Sequence, residues 1–354
     1  MNLRKSIIFK IFILGLNIPT LFSDGVWIKY GWELFDYNID ARSASLGNAG
    51  IAYNLGSIHS SMINPMLIVS NDNISITHQS RFAGMINNDL FGVQLNNNSK
   101  TINLNILYQG ISNIPDTREM LLDWGQDGQF GTNDLGEGNG VIDEGERLDE
   151  QKLKYFNQYQ FGIHGAFITS FMGTPIGLGY KILSYSLSDH YAMGIGIDIG
   201  YNKKIKKSSI GFVIRNIPAS GLIWDNGTVE GTKPSMSIGL HHPIDYLNKL
   251  SIVINTLIKT DFSLTNTNLD SYLRYGDISI DGAYGFEIVY DKKSMLRIGK
   301  NSVNDFTGGI GLRWDHFGVD YAFINALNSS VMGNHHLISL IVSSDWIISR
   351  LLMK

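Results

Sequence analysis

The sequence predicts an all-β chain that closes into a transmembrane antiparallel barrel of about 14 strands. Three observations lead there: a composition poor in charge and rich in glycine, a period-two alternation of side chains, and a sorting of connections by length. Charged residues make up 17% of the 354-residue chain, against roughly a quarter in soluble domains. Glycine occurs 38 times, and hydrophobic residues reach 44%. Mean hydropathy is nevertheless −0.01, so apolar and polar residues must be closely interleaved. That balance excludes intrinsic disorder, which needs low hydrophobicity and high charge. It also excludes a helical membrane protein, which would carry apolar runs of about 20 residues. A net charge of −4 leaves no basic footprint for nucleic acid. With no cysteine in the chain, disulfides, thiolate metal sites, a cysteine nucleophile and a lipoprotein anchor fall away together.

Residues 1–23 read as a secretory signal. Arg4 and Lys5 form a positive start, Ile7 to Ile18 an apolar stretch broken by Lys10 and Asn17, and Ser23 a small residue before Asp24. The stretch is too short and too interrupted for a comfortable membrane span; a retained N-terminal anchor is the alternative to a cleaved signal. Export of the remaining chain follows.

Alternation begins at residue 73. In 190–202, Tyr191, Met193, Ile195, Ile197, Ile199 and Tyr201 share one face, opposite Ala192, Gly194, Gly196, Asp198 and Gly200. A strand separates these two sets; a helix would mix them. The same reading gives strands at 73–79, 89–96, 101–108, 159–171, 176–187, 190–202, 207–216, 235–242, 249–259, 282–290, 294–300, 306–314, 317–324 and 335–345. Most are near the ~9–11 residues that a tilted strand needs to cross a bilayer. Every second connection is short: 97–100, 172–175, 203–206, 243–248, 291–293 and 315–316. The intervening set, 80–88, 109–158, 188–189, 217–234, 260–281, 301–305 and 325–334, is mostly long. Outer-membrane barrels sort their loops this way, with short periplasmic turns and longer outer loops. An even strand count then puts both termini on the periplasmic side of a Gram-negative-type outer membrane. Asp198, Arg215, Glu287, Arg313 and Asp320 fall on the lumen faces, where charge is far cheaper than against lipid. Tyr108, Tyr159, Tyr191, Tyr201, Tyr290 and Trp314 stand near strand ends, where aromatic girdles form.

The stretch from Asp40 to Ala52, Asp-Ala-Arg-Ser-Ala-Ser-Leu-Gly-Asn-Ala-Gly-Ile-Ala, resembles the opening of PorV/PorQ-family outer-membrane proteins. Ile63-Asn64-Pro65-Met66-Leu67 resembles the family's next motif, with its Trp absent and Met-Leu in place of Ala-Gly. Val319-Asp320-Tyr321-Ala322-Phe323 and His335-His336-Leu337-Ile338-Ser339-Leu340 resemble its ending. The chain is therefore similar to a divergent member. The resemblance implies a FadL-like barrel, residues 71–354, whose N-terminal segment 24–70 folds into the lumen as a hatch. Small residues in 41–53 suit such confinement, and Arg42 is expected beside a lumen acid, Asp198, Glu287 or Asp320. The family's function implies a non-enzymatic component of type IX-like protein secretion, partnered by the lipid bilayer, secretion-system subunits and secreted cargo proteins. The alternative is passive FadL-like uptake of hydrophobic small molecules. An apolar pocket between hatch and strands would favour uptake; a blocked lumen with functional outer loops would favour cargo handling.

One connection carries a sharper chemical signal. Within the outer loop 109–158, seven acids lie between Asp123 and Glu146, punctuated by seven glycines. Calcium takes six to eight oxygens from a backbone that turns sharply. On the EF-hand spacing, Glu137, Asn139, Gly140, Ile142, Asp143 and Glu146 fall at ligand-loop positions, and Leu135, which cannot ligate, at the first. Asp127 and Asp134 complete the candidate metal set Asp127, Asp134, Glu137, Asn139, Asp143 and Glu146, and calcium is the expected structural cofactor. The competing reading is a solvated acidic loop. The adjacent pairs His241-His242 and His335-His336 point to opposite strand faces, so neither chelates one metal alone. No nucleophile–base arrangement stands out, and no enzyme activity is expected.

Overall fold

The computed structural model describes residues 26–27, 32–36, 40–68, 73–97, 100–262, 271, 273–276, 278–325 and 333–352. The expected signal, 1–23, lies outside the described residues, as do parts of segment 24–70.

Fourteen strands form the wall. They are β1 (Asn73–Arg81), β2 (Ile86–Asn97), β3 (Lys100–Asp116), β4 (Lys154–Phe171), β5 (Thr174–Leu187), β6 (His190–Ile205) and β7 (Ser208–Arg215). The second half holds β8 (Ser235–Leu247), β9 (Leu250–Phe262), β10 (Ile278–Tyr290), β11 (Ser294–Lys300), β12 (Phe306–Arg313), β13 (Phe317–Asn325) and β14 (His335–Ser343). Each pairs antiparallel with its neighbour, and β14 returns to β1 with Thr77 opposite Ser339. This closed ring satisfies every ladder internally, the condition for strands in lipid.

The alternation separates two environments. Along β13, Gly318, Asp320, Ala322 and Ile324 are buried toward the lumen, while the alternate residues face outward. Along β6, Tyr191, Met193 and Ile195 stand exposed on the outside, and Ala192 and Asp198 are buried inside. Strands meet at one end through connections of two or three residues, such as 172–173, 206–207 and 314–316, and the long loops all lie at the other, beside the short turn 188–189.

Several boundaries depart from the sequence expectation. β3 and β4 stay paired as far as Asp116 and Lys154, so the expected loop 109–158 shrinks to 117–153. The alternation fades there because a ribbon beyond the membrane meets water on both faces, and a register shift between Ile111 and Ile114 adds to the loss. Segment 217–234 contains a hairpin, Ser220–Trp224 with Val229–Thr232, whose first arm pairs with β6. The last strand ends at Ser343, and α4 (Ser344–Leu352) follows; a strand to 345 is not what forms.

Inside the ring lie three short helices: α1 (Glu33–Asp36), α2 (Ala41–Ser45) and α3 (Ser60–Ile63). Asp40 caps α2 by accepting from the Ser43 amide at 2.7 Å, a standard answer to the unsatisfied amides of a helix start. The lumen wall is paved with glycine where this hatch touches it. A Cβ at Gly177 would run into the Pro65–Met66 backbone, one at Gly211 into Ile51, and one at Gly285 into Leu46. Lumen-facing glycine thus lets two backbones approach within van der Waals contact.

Candidate functional site

Toward the short-turn end, the hatch is fixed by ion pairs. The Arg42 guanidinium on α2 donates to both oxygens of Glu287 on β10, at 2.9 and 2.6 Å. It also donates to the Leu55 carbonyl at 2.7 Å. Of the three acids expected near Arg42, Glu287 is its direct partner. Arg297 on β11 approaches Glu287 at 2.6 Å and Asp320 at 2.7 Å, and Arg313 closes on Asp320 at 2.5 Å. Three guanidinium groups therefore alternate with two carboxylates along one buried chain. A second tie, at the end of β7 that leads into the long connection, runs from Arg215 to Asp36 of α1 at 3.0 Å and to the Ile63 carbonyl.

Nearer the long-loop end the character changes. Trp32, Leu34 and Phe35 form one buried apolar cluster with Leu107, Leu183, Ala192 and Leu222 from the wall and its hairpin. Tyr185 and Trp224 pack against it while remaining partly open, their rings 5.3 Å apart. At its base, Lys181 pairs with Asp198 at 2.8 Å and donates to Asn216 at 2.6 Å. Its ammonium also stands 5.7 and 5.8 Å from the Trp32 and Phe35 ring centres. The arrangement is an aromatic-rich apolar cluster packed between hatch and wall with one buried ion pair beneath it. Sequence reasoning missed Lys181, Trp224 and Leu222. Lys181 sits at an inward position of β5, which alternation marks; the hairpin carries no such signal.

The acidic loop shows a different use for its carboxylates. Glu146 accepts from the amides of Gly125 and Asp143, at 2.9 and 2.8 Å. Asp134 accepts from the Asp127 amide, Asp127 from Gln129, and Glu137 from Gly131 and Asn133. Asn139 donates to Asp143 at 2.7 Å. Asp123, outside the expected ligand set, takes the amides of Gly138 and Gly140 at 2.8 and 2.6 Å; the Gly140 amide above all holds its carboxyl below the usual range. All seven glycines of the loop have positive φ, a conformation glycine adopts at no steric cost. Among the described residues no group of three or more His, Asp or Glu side chains is placed to hold a metal ion. The oxygens suit calcium in kind, and here they are directed at amides, scattered over successive turns.

The two roles are separable. If calcium orders the loop, limited proteolysis within 123–146 should slow on adding millimolar calcium and recover with chelator, and Asp143→Ala with Glu146→Ala should abolish the difference. If amide capping suffices, cleavage should run at one rate with or without calcium. Asp123, with its depressed pKa, adds a pH dependence. Its capping is complete above the unfolded value of about 3.9 and is lost as pH falls through the lowered folded value.

No family model and no curated protein matches the chain. Solved structures do. The monoaromatic hydrocarbon channel CymD superposes with a TM-score of 0.50 at 12% identity, over 86% of this chain and 97% of that one. The Pseudomonas putida toluene transporter TodX gives 0.48 at 12%, over 86% and 96%. A Pseudomonas aeruginosa FadL homologue gives 0.44 at 9%, over 86% and 98%. The likeness to CymD shows the fold alone: a closed antiparallel barrel of 14 strands.

Proposed function

We propose that this barrel admits hydrophobic small molecules across the outer membrane, the hatch–wall cluster serving as the binding step. The observation that carries the reading is that cluster: Trp32, Phe35, Leu183 and Leu222 deeply buried, with the partly exposed Tyr185 and Trp224 packed against it. Ligand sites of this type are concave, mostly apolar and furnished with few polar groups. The fold agrees, since CymD is itself described as a monoaromatic hydrocarbon channel. Uptake of a labelled monoaromatic hydrocarbon by cells carrying the barrel tests it. Uptake should exceed that of cells without it and fall several-fold for Trp224→Asp, which places a charge in the apolar site. Equal uptake with and without the barrel would remove the proposal.

A second reading keeps the PorV/PorQ-like role in presenting secreted cargo. What favours it is the hatch itself, tied to the wall by Arg42–Glu287 on one side and Asp36–Arg215 on the other, beneath a loop of 37 residues, 117–153, with its own two-stranded base. Co-purification of secretion subunits with the intact barrel from outer membranes, without bound hydrophobic ligand, would support this reading over uptake.

A further inference from the structure

We infer that α4 is an interfacial helix, lying in the lipid headgroup region of the leaflet at the short-turn end and covering the seam where the barrel closes. Four observations meet here. First, α4 packs on the outside of the wall. Trp346 sets its ring 4.7 Å from that of Phe317, edge to face, and Phe317 belongs to the outward set of β13. Second, the helix touches β14 and β1, the strands of the closing seam. Val342 lies opposite both Phe317 and Ile74 in the ladders. By the alternation of β14 it belongs with outward Ile338, which is 54% exposed, yet Val342 is only 7% exposed. A residue turned outward and still buried has been covered, and α4 is what covers it.

Third, the helix is two-sided. Trp346, Ile347 and Ile348 follow one another around one side, while Asp345 and Ser349, four residues apart, share the other. Asp345, Ile348 and Ser349 are exposed, with Ile348 at 51%. With Trp346 turned to the wall and the Asp345–Ser349 edge to water, Ile348 points along the membrane, away from the barrel. Fourth, Arg350 stacks on the Trp346 ring at 5.9 Å and stays exposed, at a level where lipid phosphates lie. Tryptophan beside a basic residue is a composition that seats helices in an interface. The occupant of the open face is therefore the bilayer, because that face continues the lipid-facing belt of Ile76 and Ile338.

The chain has no cysteine, so single-cysteine reporters are unambiguous. Ile348→Cys and Ser349→Cys, each carrying an environment-sensitive fluorophore, would be placed in vesicles of phosphatidylethanolamine and phosphatidylglycerol. The label at 348 should be quenched at least about twofold more than that at 349 by lipids brominated near the headgroup. Aqueous iodide should reverse the order. Equal iodide quenching at both positions, with no effect of brominated lipid, would overturn the inference and leave α4 free for a soluble protein partner. Should a labelled variant not form the heat-modifiable barrel, native tryptophan decides instead. Trp346→Phe should remove part of the quenching by shallow brominated lipid, and an unchanged quench would count against the proposal.

Discussion

Glu287→Ala is expected to destabilise the folded barrel by about 3–5 kcal/mol, the typical cost of stripping one partner from a buried ion pair. The side chain of Glu287 is 2% exposed and that of Arg297 is 0%. Removing the carboxylate leaves Arg297 with Asp320 alone, and Arg42 with only the Leu55 carbonyl of its described partners. Two guanidinium groups then face each other across a space that water reaches poorly. The measurement is the urea midpoint for loss of the compact, heat-modifiable band. Lys207→Ala is the control: its pair with Asp245 is 69% and 65% exposed, and such pairs contribute at most about 1 kcal/mol. An E287A barrel as stable as K207A would mean that the ion-pair chain contributes nothing net.

Deleting 26–68 is expected to leave a barrel that still inserts and now conducts. The wall ladders run from strand to strand without the hatch, so closure does not require it. What the deletion removes is the filling: Trp32, Phe35, Leu46, Ile51, Leu55 and Met62, all nearly inaccessible inside the ring. Glycines that had met hatch backbone would then face an open, water-filled path. Planar bilayers should show large steady current steps for the deleted protein and small or no steps for the intact one. Identical steps would place the conducting route, or the block, somewhere other than the hatch.

Much of this architecture was legible because lipid imposes a strict period. Strands such as β6 and β13 must show apolar residues outward, and their partners inward, at every second position. The Arg42–Glu287 contact was legible as a class, a hatch cation against a lumen acid; which acid depends on where α2 docks. Legibility fails where a strand no longer has lipid on one side. The outer parts of β3 and β4 and the hairpin 220–232 meet water or hatch, and their patterns dissolve accordingly. α4 escaped notice for a related reason: Ser344 to Leu352 is too short for helical periodicity to stand out beside the strand before it. The apolar site was hidden because its residues come from α1, β3, β5, β6 and the hairpin, and only the closed ring brings them together.

The pairing of β14 with β1 also dictates an order of assembly. Thr77 and Ser339 share a hydrogen bond across 262 residues of chain, so the ring cannot be finished until its last strand exists. Contacts of such separation form late. The hatch, tied to walls on both sides of the lumen, is N-terminal and so is made before the strand that completes the seam. Once the seam is made, the hatch is enclosed like a core cast inside its mould, held to opposite walls by its own ion pairs.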